Sequence, residues 1–382
     1  MPKSPSSQVL IVGAGPAGLA VGACLTRLGL RVRLLERGDA PGCSWARHYE
    51  SLRLHTPRSL SSLPGLRFSS TSDYPDRTEV LAYLAEYARR FDLEIDHGRE
   101  ATALVREDGG WRVETSGGAY RARHVVLATG CFMDSREPDW PGRERFQGRW
   151  LRPADVRSGD GWRDRHALVV GLGNTAADLV TDIHRGGGRV ALSVRGPVYV
   201  VPLEILGVNC FRWRQGLPER APTLRRFLGH GAGDAAEKAG ARFWWRLQER
   251  RYGDLRDRGL ALKSPEEIER DHRSGLPPVI GGPWVDLVRR GEAPVFPGIS
   301  EITPEGALFT DGRRAAFTDI VVATGYEKKR FPLAGDLESP RDGAVPGQPG
   351  LWLCGAAPVL RHIRRAARRV AREIAHDPGL RG

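Results

Sequence analysis

A loop that cradles a diphosphate needs a strand to deliver it and a helix to receive it, so its presence commits a chain to one local architecture. The stretch Gln8 to Glu36, QVLIVGAGPAGLAVGACLTRLGLRVRLLE, supplies all three parts. Val9 to Val12 is a short apolar run that predicts a buried parallel strand, and Gly13, Ala14, Gly15, Pro16, Ala17 and Gly18 follow at once. A helical pattern then runs from about Ala17 to Leu28, Gly29 sits at the C-terminal cap, and Arg31 to Leu35 reads as the next strand. Gly13 permits the tight turn, Gly15 lets a pyrophosphate approach the backbone, and Gly18 lets helix and strand close together. Glu36 stands 18 residues after Gly18, where a carboxylate accepts from a ribose 2′-hydroxyl and repels a phosphate. The unit therefore predicts a site for FAD or NAD in preference to NADP.

A second unit begins near His166, its glycine loop 158 residues after the first. Ala167 to Val170 is the strand, Gly171, Leu172, Gly173, Asn174, Thr175 and Ala176 the loop, and Ala177 to His184 the helix. Ala176 replaces the third glycine, which close helix packing tolerates. The following strand, Arg189 to Val194, ends in Arg195 in place of an acid. An arginine there can hold a 2′-phosphate with two hydrogen bonds, so NADPH is the expected ligand, the alternative being a solvated strand end. The tripeptide Ala-Thr-Gly recurs at 128–130 and 323–325. Each copy ends a buried strand at a tight turn, as happens where a chain leaves one nucleotide domain for another, which adds Thr129, Gly130, Thr324 and Gly325 to the cofactor-binding candidates.

The 382 residues suffice for two or three cores. The net charge of +12 invites a nucleic-acid reading, but its 53 arginines are spread through every segment and lysines number five. Only Arg361 to Arg372 (RHIRRAARRVAR) concentrates them, and this reads as a solvated helix face. Cys24, Cys43, Cys131, Cys210 and Cys354 form no close pair, which argues against a zinc site and a dithiol centre and suits a reducing cytoplasm. No apolar run is long enough to span a membrane, and the start of the chain is laid out as a phosphate loop and not as an export signal. Neither nucleic acid nor membrane is an expected partner. Asp76 with Glu79 predicts a capping box opening a helix that buries Val80, Leu81, Leu84, Tyr87, Ala88 and Phe91. Short strands are expected over 93–95, 102–106 and 110–115, then a buried one over His124 to Ala128. Residues 203–275, rich in Trp and Arg, read as a packed helical cap or as cover for a substrate cleft. Strands return from Val295, and a last one, Leu351 to Leu353, leads to a helix over 363–374.

The order of these motifs resembles the class B flavin-dependent monooxygenases, the flavin-containing monooxygenase family with its plant YUCCA branch. The matching features are GAGPAG at 13–18, Glu36 and Arg37, Ser44 and Trp45, LRLHTP at 52–57, GLGNTA at 171–176, Arg195, VYVVPLEILG at 198–207 and ATGY at 323–326. The resemblance implies an α/β fold of two Rossmann-like dinucleotide-binding domains of the three-layer ββα type. The FAD domain would be discontinuous, over 1–155 and 295–382, with an NADPH domain and its Trp-rich insertion over 156–294. It places Ser44 and Trp45 beside the flavin and His55 and Thr56 nearest the isoalloxazine, where His55 reads equally as a structural histidine and is the one weak catalytic candidate. It implies an NADPH- and FAD-dependent monooxygenase acting through a flavin C4a-hydroperoxide on a nitrogen, a sulfur or the carbon beside a carbonyl. The sequence departs from the family fingerprint. Phe146 and Gly148 are present, but Arg152 stands at the His position and Val156 at the aromatic one, and Arg361, His362, Ile363 and Arg364 open the last helix where small residues are usual. A reductase that inserts no oxygen is the alternative enzyme, and a redox-sensing binding module the alternative to an enzyme.

Overall fold

The computed structural model describes residues 6–130, 135–214, 230–326, 342–357 and 359–380. Cys131 and part of the Trp-rich region therefore lie outside the described residues. The chain divides into two compact units, the first made of 1–48, 56–134 and 326–382, the second of 49–55 and 135–325.

The first unit is organised on a sheet in which strands Leu351–Leu353, Gly118–Leu127, Ser6–Val12, Val32–Leu35 and Glu94–Asp96 run parallel in that order. Strand Gly118–Leu127 does double duty. Its first half pairs antiparallel with Gly110–Thr115 and its second half parallel with Ser6–Val12, so Val12 faces Leu127 at the end where both strands stop. Leu10, Val125 and Leu127 are fully buried, as parallel strands covered on both faces require. Helix Pro16–Thr26 packs on helix Leu360–Ala375. The latter buries Ile363, Ala366, Ala367, Val370, Ala371 and Ile374, spaced three and four apart, and leaves Arg365, Arg368, Arg369 and Arg372 exposed, with Arg361 and Arg364 half-buried. The capping box forms as expected: Asp76 accepts from the Glu79 amide at 2.9 Å and Glu79 from the Asp76 amide at 3.1 Å. Its helix, Arg77–Arg90, buries Val80, Tyr83, Leu84, Tyr87 and Ala88, with Leu81 and Phe91 left half-buried.

In the second unit strands Val295–Phe296, Arg189–Ser193, His166–Val170, Asp319–Val322 and Arg149–Leu151 form a parallel sheet. An antiparallel meander, Ile299–Thr303, Gly306–Phe309 and Arg314–Ala316, packs Ile302, Ala307 and Phe309 against it. Among the described residues, helices His230–Tyr252 and Pro265–Ser274 carry much of the Trp-rich region; Trp244 is packed at only 2% exposure, whereas Trp213 is exposed.

The units therefore change over at 134/135 and 325/326, where the sequence predicted 155/156 and 294/295. The reason is long-range pairing. Arg149–Leu151 adds to Asp319–Val322, which adds to His166–Val170, so these strands share one sheet. The excursion 49–55 enters the second unit through Tyr49 and Leu52, which pack into its core. Both later changeovers fall within a few residues after an Ala-Thr-Gly turn.

Candidate functional site

In the first unit the loop after strand Ser6–Val12 is closed by the turn at Ala128. Gly13 has φ +104°, and a Cβ there would lie 2.7 Å from the Ala128 carbonyl oxygen, so only glycine fits under this roof. A Cβ on Gly18 would lie 1.9 Å from the Gly13 oxygen, the close helix–strand approach expected of it. Gly15 is the opposite case, since nothing lies within 4 Å of its would-be Cβ. It is the N-cap of helix Pro16–Thr26, with Pro16 at the first helical position and buried Ala17 next, so the open side of the loop faces first-turn N–H groups that have no acceptor within the helix. That open, positively poised concavity admits a diphosphate.

Glu36 is only 6% exposed and holds the loop it serves. One carboxylate oxygen accepts from the Ala14 amide at 2.9 Å, the other from the Gly38 amide at 2.9 Å and the Cys43 thiol at 3.0 Å. A carboxylate offers about four lone-pair sites, so capacity remains for a ribose hydroxyl. Burial and the Glu36 charge push the Cys43 thiol up, leaving it a neutral donor. Arg37 is exposed and 4.0 Å from Glu100. Ser44 is exposed, Trp45 is half-buried and meets the His48 ring edge-on at 6.0 Å, and both stand on the short helix Cys43–Ala46. Thr129 is half-buried, Gly130 has φ +86°, and the Thr56 hydroxyl lies 2.9 Å from that of Ser61.

Two residues at this site escaped the sequence reading. Asp342 accepts from the amides of Gly355 and Ala356 at 2.7 and 2.9 Å, shaping the turn after strand Leu351–Leu353. A Cβ on Gly355, whose φ is +96°, would lie 2.9 Å from Ala17 Cβ, so this turn reaches the start of the glycine-loop helix. The available signal was a glycine just past a buried strand, the same arrangement as at Gly13.

The second unit repeats the arrangement with a different charge at its edge. Gly171 has φ +97°, and its Cβ would lie 2.7 Å from the Ala323 oxygen, so this roof matches the first. Nothing lies within 4 Å of a Cβ on exposed Gly173, and Ala176 is fully buried where the third glycine would be. Asn174 is anchored by backbone groups of its own unit. Its side chain accepts from the Ile280 amide at 2.8 Å and donates to the Pro278 carbonyl at 3.1 Å, which leaves the backbone N–H for a ligand. Thr175 beside it is half-buried. Arg195 is exposed and makes no ion pair among the described residues, and its stem runs over Gly298, where a Cβ would lie 3.2 Å from Arg195 Cγ. A guanidinium exposed at that strand end fits a phosphate. The Thr324 hydroxyl donates to the Arg136 carbonyl, and the Arg136 amide to the Gly325 carbonyl at 2.9 Å.

His55 and Thr56 fall in different units, His55 in the second. Burial pushes the His55 imidazole down to about 4, so it is neutral at physiological pH, and its carbonyl accepts from the Asn209 side chain at 2.9 Å. The same excursion brings Tyr49 to Asp178, with its hydroxyl donating at 2.6 Å, and the Ser51 hydroxyl to Asp182. Both acids stand one turn apart on helix Asn174–Arg185, directly behind the second loop. Burial, assisted by the Asp182 charge and opposed by the Tyr49 hydrogen bond, pushes Asp178 up to about 6. Two acids on an otherwise apolar stripe of Ala177, Leu179, Val180 and Ile183 were the sequence signal. At the altered fingerprint, exposed Arg152 donates to Glu137 at 2.7 Å and Val156 is buried.

Residues 10–200 match the family model described as pyridine nucleotide-disulphide oxidoreductase. Indole-3-pyruvate monooxygenase YUCCA1 of Oryza sativa subsp. japonica is 33% identical over 337 residues, covering 86% of this chain and 79% of that protein. Indole-3-pyruvate monooxygenase YUCCA4 of the same species is 31% identical over 373 residues, covering 91% and 82%. Among solved structures, a flavin-containing monooxygenase from Stenotrophomonas maltophilia superposes with TM-score 0.71 at 23% identity, over 97% of this chain and 98% of that one. The bacillithiol disulfide reductase Bdr of Staphylococcus aureus gives 0.67 at 12%, over 98% and 99%.

Proposed function

The chain belongs to the pyridine nucleotide-disulphide oxidoreductase family, among its YUCCA-like class B flavin monooxygenases, and from that premise we propose an enzyme that places one atom of O2 in a small organic substrate. It is an FAD-dependent oxidoreductase that uses NADPH. The observation that carries the reading is the pair of roofed glycine loops with opposite charges at their edges, buried Glu36 in one unit and, in the other, Arg195, which has no ion pair among the described residues. When bound, NADPH supplies the hydride and FAD the oxygen chemistry.

The residues of this chain bind and orient. Gly13, Gly15, Pro16, Ala17 and Gly18 hold the FAD pyrophosphate, Glu36 its ribose, and Arg37, Ser44, Trp45, Thr56, Thr129 and Gly130 flank it, with FAD on the first unit. Gly171, Gly173, the Asn174 amide and Thr175 hold the NADPH pyrophosphate, Arg195 its 2′-phosphate, and Thr324 and Gly325 roof the loop, with NADPH on the second. His55, neutral through burial, serves as packing or as a hydrogen-bond partner and not as an acid. Oxidation beside a carbonyl is the favoured reaction, supported by the 2-oxo acid in the names of the rice relatives.

The test is turnover under ¹⁸O2 with NADPH and a panel of amines, sulfides and 2-oxo acids that includes indole-3-pyruvate. One labelled atom in the product, with the other in water, is the expected result. NADPH oxidation that labels no product with any compound, yet reduces a quinone or free flavin, establishes instead the reductase that Arg152 and Val156 at the fingerprint positions favour.

A further inference from the structure

The outward arginines of the last helix are not all solvated alike. Arg369 approaches Glu373 at 3.9 Å, whereas Arg364 and Arg368 border a groove of about 840 Å3 in the first unit, facing the loop that follows Pro57. That volume suits a small organic molecule. None of the glycine-loop residues lines it, nor does Glu36.

The groove combines an apolar floor with a cationic rim. Leu63 and Phe68 are buried, Leu66 is half-buried, and the Phe68 ring stacks on Tyr83 with centroids 4.2 Å apart, so the floor is held in place. Arg58 on the rim is already paired with Asp73 at 3.3 Å and donates to the Ser70 carbonyl. Arg67, Arg364 and Arg368 have no acidic partner among the described residues. Arg364 and Arg368 are four residues apart on one helix, where like charges repel, and Ile363 and Ala367 fill the face that might otherwise accept them. Arg67 adds a third charge from the facing loop. An anion removes this repulsion, and guanidinium forks match a carboxylate with two parallel bonds. The apolar floor requires that the anion carry a flat hydrophobic body.

We propose that this groove binds an organic carboxylate, with the acid group held by Arg364, Arg368 and Arg67 and its apolar body lying on Leu63, Leu66 and Phe68. The site goes beyond both nucleotide loops and does not depend on which substrate is oxidised.

Calorimetric titration of the FAD-loaded full chain with 1-naphthoate tests it, beside the neutral 1-naphthalenemethanol and inorganic phosphate. Naphthoate is expected to bind, the alcohol and phosphate to bind much more weakly, and the double variant R364Q/R368Q to weaken naphthoate by about tenfold or more, as the loss of charge-assisted bonds requires. The pair R364K/R368K keeps the charge and is expected to recover part of the affinity, which separates a lost site from a misfolded helix. The proposal is overturned by no heat at millimolar naphthoate, by equal affinity in R364Q/R368Q, or by alcohol or phosphate binding as tightly as the acid.

Discussion

Asp178 makes a quantitative prediction because its carboxyl is desolvated in the folded state and free in the unfolded chain. Burial first, and then the Asp182 charge, lift it from an ordinary 3.8 to about 6, against the pull of the Tyr49 hydroxyl. Between these values the folded protein holds a proton that the unfolded chain has released, so stability declines as pH rises through the window. The whole penalty is about 3 kcal/mol at about 1.4 kcal/mol per pH unit, and it is fully in force above about pH 7. Asp178→Asn keeps an acceptor for Tyr49 and cannot ionise. Denaturant unfolding of FAD-loaded wild type and D178N at pH 5 and pH 8, followed by Trp fluorescence, reads the difference. The advantage of D178N is expected to grow by about 1.4 kcal/mol between those pH values, since roughly half the penalty is already present at the lower one. Asp182→Asn should make the wild-type slope shallower, and Tyr49→Phe should make it steeper. A D178N advantage that stays flat with pH, or shrinks as pH rises, refutes the assignment of a desolvated proton-binding carboxyl.

Arg195→Ala should raise KM for NADPH by roughly tenfold or more and leave NADH nearly untouched, the loss expected for one charge-assisted phosphate contact; equal effects on both cofactors rule out a 2′-phosphate role. Gly13→Ala meets the Ala128 oxygen at 2.7 Å with φ +104° and Gly171→Ala the Ala323 oxygen at 2.7 Å with φ +97°, so each costs about 1–2 kcal/mol from the left-handed backbone alone before the clash is counted. The first should purify short of flavin and the second should keep its flavin yet be reduced slowly by NADPH, which absorbance spectra and anaerobic mixing will read. His124 accepts from the Trp352 indole at 3.1 Å through Nδ1 and so donates from Nε2 to Asp377 at 2.7 Å. Burial holds its imidazole below the usual range despite that carboxylate, so the unfolded chain takes the proton first and acid destabilises. Nitrogen NMR should report the neutral Nε2–H tautomer near pH 6, and a charged ring there would contradict it.

What could be read in advance was whatever local sterics dictate. Gly13 and Gly171 must be glycine because their φ and the roofs above them allow nothing else, and such positions declare themselves in the sequence. The positions of Glu36 and Arg195 could be read for a related reason, since each stands just past a strand that the sequence pattern delimits. The limits of the units were not legible, because the pairing of Arg149–Leu151 with Asp319–Val322 joins residues some 170 positions apart. Tyr49 and Asp178 lie 129 positions apart and met the same difficulty. The anchoring of the Asn174 side chain was out of reach for the same reason, since the two backbone groups that engage it lie 104 and 106 positions away. Asp342 left no motif, since one carboxylate capping a turn has no spacing to betray it.

The excursion of residues 49–55 bears on how this protein can be taken apart. The chain passes from one unit to the other at 48/49, 55/56, 134/135 and 325/326, so no pair of cuts releases the second unit whole. A fragment spanning 135–325 would lack Tyr49 and Leu52 from its core and the hydroxyl that meets Asp178, leaving a hole beside a carboxyl stripped of its donor. Domain swapping or modular grafting must therefore carry that seven-residue strap along as a separate piece, and a circular permutant that joins it directly to the rest of the unit is the shortest route to an autonomous nucleotide-binding module.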